Sequence, residues 1–176
     1  SGVGNVELLT AIDSVDGGAG SDTLIYYTVG GTALPAAAIT NIETIKVISD
    51  GAATADVDNL LTVTTLEAKA VGADVNIDGK TLTTVNVTGT AQSIDITDNA
   101  TTKVLTTVSI DGYTDDGGNA ADDMKIDSTA LTSLSLSNST MVDDGDDLIT
   151  DSTSALTINL ENVAGGAADI LAATAT

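Results

Sequence analysis

The stretch Leu82-Thr83-Thr84-Val85-Asn86-Val87 recurs in variant form along most of the 176-residue chain. Its strict apolar–polar alternation is typical of a strand with one buried face, and its outward Thr residues favour an extended backbone. Copies start at residues 42, 63, 82, 105, 131 and 156, and the last copy lacks one residue. This narrow but irregular spacing predicts a solenoid whose coils differ in loop length.

A second alternating stretch lies between most copies of the repeat. These stretches are Val75-Asn76-Ile77, Ile94-Asp95-Ile96, Met124-Lys125-Ile126 and Leu148-Ile149. Each coil should therefore contain at least two short strands, joined by turns of Gly, Asp, Asn and Ser. We predict an all-β fold, a parallel β-solenoid or β-helix of about six coils, in which strands of successive coils pair at ~4.8 Å.

Two other folds compete with this prediction. Leu131-x-x-Leu134-x-Leu136 also fits the start of a leucine-rich repeat, and a β-sandwich or a calcium-binding immunoglobulin-like module likewise has short strands separated by turns. The segments between strands are too rich in Gly, Asp and Thr for a helical convex side. A sandwich has no reason to repeat one strand sequence.

The chain divides into three parts of one continuous domain. Residues 1–40, with the single proline Pro35, form a lead-in or capping segment that contains a glycine-rich turn. Residues 41–162 form the repeat solenoid, and residues 163–176 form a C-terminal tail or cap. We expect the chain to be a fragment of a longer protein.

The charge of the chain excludes several classes of function. There are 26 acidic residues against 5 lysines, a formal charge of −21, and most of the acids are Asp, which favours turns and hard cations. Nucleic acids and anionic membrane surfaces need Lys or Arg, and no apolar run approaches ~20 residues, so we expect no nucleic-acid binding and no membrane insertion.

Catalysis fits this composition poorly. The chain has no His, Cys or Arg to act as a base, a nucleophile or an oxyanion clamp. Paired carboxylates leave glycoside hydrolysis open by residue type. Three Tyr and five separated Lys, however, provide no sugar-binding groove, so we expect no enzyme.

A glycine-rich acidic turn near the N-terminus is the first candidate metal site. Residues 17–24 read G-G-A-G-S-D-T-L, and the candidate calcium ligands are Asp16, Gly17, Gly18, Gly20 and Asp22. Glycines let the turn present backbone carbonyls, and Asp22 adds a carboxylate. Because calcium takes 6 to 8 oxygens, one such turn supplies half a site. The alternative is an ordinary turn before a strand.

Two further acidic turns follow equivalent strands of successive coils. Their candidate ligands are Asp115, Asp116, Gly117, Asp122 and Asp123 in one turn and Asp143, Asp144, Asp146 and Asp147 in the other. Equal placement should stack the two turns on one edge of the solenoid. Their carboxylates would then repel each other unless divalent cations neutralise them. Two solvated acidic loops are the alternative.

Residues 17–25 match the nonapeptide of RTX calcium-binding β-rolls. Together with the repeat, the Thr/Ala/Asp/Gly composition and the lack of Cys, residues 17–160 resemble RTX-type surface-layer proteins of Gram-negative bacteria. The resemblance implies type I secretion, a location on the bacterial cell surface, Ca²⁺-dependent folding and self-association into a lattice. Attachment to cell-surface polysaccharide through another domain is a further expectation. The alternative function is a calcium-dependent adhesin segment that binds a surface or glycan ligand.

Overall fold

A computed structural model describes residues 9–115, 124–141, 148–165 and 170–172 of the chain. The described residues contain strands and turns and no helix, so none of them provides a helix that could span a membrane. The strands in chain order are β1 (Ser14–Asp16), β2 (Thr23–Thr28), β3 (Ala38–Thr40), β4 (Thr44–Ser49), β5 (Ala53–Asp56), β6 (Thr65–Gly79), β7 (Thr84–Asp98), β8 (Thr107–Asp111), β9 (Met124–Asp127), β10 (Ser133–Ser137), β11 (Thr140–Met141), β12 (Leu148–Thr150), β13 (Thr157–Glu161), β14 (Ala164–Gly165) and β15 (Ile170–Ala172).

Every strand pair is parallel, and the chain winds as a β-solenoid of about six turns, which confirms the predicted fold. The first face is the column β2-β4-β6-β7-β8-β10-β13. The second face stacks β5, the later halves of β6 and β7, and then β9, β12 and β15. A third side, made mostly of turns, connects the second face to the next coil. This parallel pairing excludes the antiparallel sandwich, and the strand-built coils exclude a leucine-rich repeat with a helical convex side.

The copies of the repeat occupy the same position in each coil. Thr44 pairs with Thr65, Thr65 with Thr84, and Thr84 with Thr107. At the last copy Thr157 pairs with Ser133, and Ser152 takes the position of Ser128, with the same offset of 24 residues. The expected one-residue deletion is therefore wrong, because Leu156 aligns with Thr132 and not with Leu131. The column also begins one coil before the first recognisable copy, because β2 pairs with β4 although its sequence lacks the L-T-T start.

The first Thr of the L-T-T signature links successive coils through its side chain. The hydroxyl of Thr83 donates to the carbonyl of Thr64 at 3.2 Å, that of Thr106 donates to Thr83 at 3.3 Å, and that of Thr132 donates to Thr106 at 3.2 Å. Each hydroxyl bonds to the equivalent residue one coil earlier. This ladder of hydrogen bonds gives a structural reason for Thr at this position, beyond the preference of Thr for an extended backbone.

Small aliphatic side chains fill the interior of the coils. The alternating positions of the first face, such as Val85 and Val87, are fully buried, as are Ile94 and Ile96 on the second face. The residue that starts each of the first five copies is also buried, as at Ile42 and Leu82, whereas Leu156 of the last copy is partly buried. Two of the three tyrosines, Tyr26 and Tyr113, are also buried, and the rest of this core is aliphatic, which agrees with the composition.

The corner between the first and second faces requires residues that tolerate a left-handed backbone. Gly89 and Gly112 have φ of 99° and 98°, and a Cβ on Gly112 would lie 2.1 Å from the carbonyl oxygen of Gly89. One and two coils later, Asn138 and Asn162 take this corner at φ of 48° and 54°, and the Asn162 amide donates to Asn138 Oδ1 at 2.8 Å. Left-handed φ is tolerated best by Gly and Asn.

Candidate functional site

The glycine-rich turn of residues 16–22 is held by the coil that stacks on it. Asp16 Oδ1 accepts hydrogen bonds from the Gly18 amide at 3.0 Å and from the Asn41 side chain at 2.8 Å. These bonds, the one from Asn41 first, hold the pKa of Asp16 below its usual value. Gly17 is needed for close stacking, because a Cβ there would lie 2.1 Å from the Asn41 carbonyl oxygen.

Asp22 and Glu43 occupy equivalent positions on neighbouring coils. The backbone amide of Asp22 donates to Glu43 Oε2 at 2.8 Å, and the carbonyl of Asp22 accepts from the amides of Glu43 and Thr44. Asp22 Oδ2 is buried and has no hydrogen-bond partner among the described residues. Of the predicted ligands in this turn, Asp22 therefore has a free acceptor, whereas Asp16 is already bonded. Sequence reasoning missed Glu43, which was visible only as a member of the first copy.

The two later acidic turns start and end at neighbouring points of the solenoid. Thr114 forms a parallel bridge with Thr140, the Asp115 amide donates to the Thr140 carbonyl at 3.0 Å, and Met124 pairs with Leu148. Asp115 is buried. The other predicted ligands of these turns lie outside the described residues, namely Asp116, Gly117, Asp122, Asp123, Asp143, Asp144, Asp146 and Asp147.

The described residues do not by themselves complete a calcium site. Within residues 9–115, 124–141, 148–165 and 170–172, no three acidic side chains come close enough together to hold a metal ion. The turn of residues 16–22 offers glycines, one bonded carboxylate and one buried unpaired carboxylate oxygen. Calcium needs more oxygens than this turn offers.

A row of aspartates that sequence reasoning did not single out follows the second face. This aspartate row consists of Asp56, Asp78, Asp127 and Asp151, which end the second-face segment of four coils, with Thr97 between the two pairs. Burial raises the pKa of Asp78, and the nearby carboxylates, that of Asp56 foremost, raise it further. The recurrence of Asp-Ser-Thr at 127–129 and 151–153 was the available sequence signal.

At the C-terminal end of the aspartate row, the carboxylates of Asp127 and Asp151 lie next to each other on successive coils. Burial raises the pKa of Asp151, and the charge of Asp127 on the previous coil raises it further. Asp127 is balanced by Lys103, whose Nζ lies 3.3 Å from Asp127 Oδ1. Asp151 Oδ1 is buried and has no hydrogen-bond partner in the described part of the chain. The row is thus a line of incompletely compensated negative charge.

Asp98 is a buried carboxylate with a structural role. It accepts hydrogen bonds from the amides of Ala100 at 3.0 Å, Val104 at 2.6 Å and Leu105 at 2.9 Å, and from the Ser128 hydroxyl at 3.2 Å. The same position holds Ser128 and Ser152 in the next coils, where each hydroxyl donates to a leucine carbonyl. These buried groups close the third side of the coil and have no spare capacity for a ligand.

Comparison with models of protein families, with curated protein sequences and with solved structures found no match to this chain. The class of the protein therefore follows from strand pairing alone. It is a parallel β-solenoid repeat protein with an acidic surface.

Proposed function

We propose that this chain is a structural module of a calcium-dependent bacterial surface layer, which is secreted by a type I system and which folds and self-associates outside the cell. The observation that carries the proposal is the register of the flanks of the two acidic turns. Because Thr114 pairs with Thr140 and Met124 with Leu148, the turns between them leave and rejoin adjacent coils at adjacent positions. Nine predicted ligand residues belong to these turns.

In this proposal, the negative charge of the chain makes its folding depend on calcium. A chain of −21 resists compaction by self-repulsion when calcium is scarce. Millimolar calcium outside the cell would neutralise the acidic turns and favour the stacked coils, since a ligand that binds only the folded state stabilises it by mass action. The continuous strand column supports a scaffold role, because each coil adds backbone hydrogen bonds and buried core to the coil before it.

Circular dichroism and scanning calorimetry with calcium and with chelator test the calcium part of the proposal. We expect β content, melting temperature or both to fall in chelator and to return on adding calcium, with magnesium as the control for simple charge screening. Unchanged β content and melting temperature in chelator would refute calcium dependence.

Light scattering during calcium addition tests the assembly part. A lattice module should give a calcium-dependent increase in particle mass at protein concentrations where the chelated protein is small. A protein that stays small in calcium but binds an immobilised glycan would instead be an adhesin segment.

A further inference from the structure

The outer surface of the first coils carries an apolar patch in a chain that is otherwise highly acidic. The patch consists of Ile25, Tyr27, Val29 and Val71, which are 48%, 64%, 42% and 51% exposed. They are four of the seven large apolar side chains found exposed in the described part of the chain. Their combined exposed area is roughly 400 Å², within the ~300–600 Å² of the largest patch on a typical monomer, which is often functional.

Strand register brings the patch together and forms a groove beside it. Tyr27 pairs with Ile48, and Ile48 pairs with Lys69, so these three residues form one row across β2, β4 and β6. Val29 and Val71 flank this row, and the groove between them has a volume of about 240 Å³. The groove is therefore a product of stacking three coils, since no single strand contains it.

The local charge of this surface differs from that of the whole molecule. Two of the five lysines, Lys46 and Lys69, lie on it beside Glu67 and Asp50, so its formal charge is zero. Lys46 Nζ pairs with Glu67 Oε2 at 2.8 Å, whereas Lys69 has no carboxylate partner among the described residues. Asp50 Oδ1 accepts the Gly30 amide at 2.8 Å. Elsewhere the aspartate row keeps an excess of negative charge.

We propose that this patch is the surface through which a second copy of the chain packs face to face, related by a two-fold axis. The inference rests on the proposed self-association and names its surface. Two chains of −21 repel each other, so a contact between copies forms where local charge is lowest and apolar area is highest. A two-fold axis that passes between Lys69 and Asp50 would also bring the unpaired Lys69 of each copy near the Asp50 carboxylate of the other.

The patch is small for a stable interface. Stable complexes bury ~800 Å² per partner, so a core of about half that area indicates a weak dimer that forms only at high protein concentration. Salt should strengthen the dimer, because screening at 0.5 M NaCl reduces the long-range repulsion more than it affects apolar contact. Such a weak contact suits a lattice, in which many copies are held together.

Sedimentation velocity of the chelated protein from 20 to 500 μM tests this inference. The double variant Tyr27→Ser, Val71→Thr removes most of the exposed apolar area and keeps β-compatible side chains at outward positions. We expect its dimer dissociation constant to rise at least tenfold while its circular dichroism spectrum stays unchanged. The matched control is Leu61→Ser, which removes a 75% exposed leucine outside the patch and should leave the dimer as in the wild type.

The outcomes separate this inference from the proposed function. A wild type that stays monomeric at 500 μM and high salt, or a double variant that dimerises like the wild type, overturns the inference. If the double variant assembles in calcium as well as the wild type does, the proposed function stands, but the patch is not the surface through which copies assemble. Dimers that form through the patch without any response to calcium support this inference and contradict the proposed function. If the protein forms no dimers but binds a glycan through Tyr27, the patch binds a glycan and not a second copy, and the inference is overturned.

Discussion

The Asp98→Ala substitution tests whether a single buried carboxylate closes the third side of the coils. Asp98 is 1% exposed and accepts hydrogen bonds from three backbone amides, those of Ala100, Val104 and Leu105. Alanine removes every one of these acceptors. It also removes a partner of the Ser128 hydroxyl, which keeps its 2.9 Å bond to the Leu105 carbonyl.

The expected loss of stability follows from the groups left without partners. A buried polar group that loses its partner costs about 1–3 kcal/mol. The Leu105 amide is fully enclosed, while water can reach the partly buried Ala100 and Val104 segments, so we expect a total loss of about 3–4 kcal/mol in the free energy of unfolding. At ~2–4 °C per kcal/mol for a chain of this size, the melting temperature should fall by roughly 10 °C.

Urea denaturation followed by circular dichroism measures this change, and Asp95→Ala is the control. Asp95 lies in the same strand but points outward, and its hydrogen bond from Thr97 is long, at 3.4 Å. Its removal should cost less than about 0.5 kcal/mol. Equal effects of the two substitutions, or a loss below about 1 kcal/mol at Asp98, would show that the carboxylate network does not organise this loop.

Three further predictions concern the corner, the aspartate row and calcium. Gly112→Ala should cost roughly 3 kcal/mol or more, because its Cβ meets the Gly89 carbonyl, whereas Gly72→Ala, also at positive φ but in open space, should cost about 1 kcal/mol in the same urea assay. Asp151→Asn should stabilise the protein at pH 7 by up to about 1 kcal/mol. The pKa of Asp151 is raised in the folded state, so the protonated carboxyl favours folding. This contribution to stability is complete at pH values below the ordinary pKa of Asp and is lost as the pH rises through the raised pKa. The gain from Asn should therefore disappear in melting curves near pH ~4. Calcium at 100 times its dissociation constant should add about 2.7 kcal/mol per site that binds only the folded state, and calorimetry in chelator should show the corresponding loss.

Different results would contradict each of these expectations. Equal costs at the two glycines would mean that left-handed φ, and not the close approach of coils, limits the corner. A stabilising effect of Asp151→Asn that persists at pH 4 would show that neither the burial of the Asp151 charge nor its repulsion by Asp127 is the cause. Calorimetric traces that coincide with and without calcium would remove the metal from the folding of this chain.

The candidate site was predictable only in part. Acidic turns at equivalent places could be identified from the repeat, and the flanks of the two later turns do lie in register at Thr114, Thr140, Met124 and Leu148. The aspartate row was not predicted, because its members are separated by 22 to 49 residues and only Asp127 and Asp151 share the neighbours Ser and Thr. The patch around Tyr27 was also missed, because Val71 joins Ile25, Tyr27 and Val29 only through the stacking of coils.

The sequence alone determined the class of fold, because apolar–polar alternation of period two, repeated every 19 to 26 residues, can bury its apolar face only by stacking parallel strands. It also determined which positions of the L-T-T-V-N-V unit are inside. The tertiary structure decided what alternation cannot encode, namely the role of each residue at a turn. One buried position holds Val57, Gly79, Asp98, Ser128 and Ser152 in successive coils, and the packing of neighbouring coils decides whether it needs an apolar group or a hydrogen-bond partner.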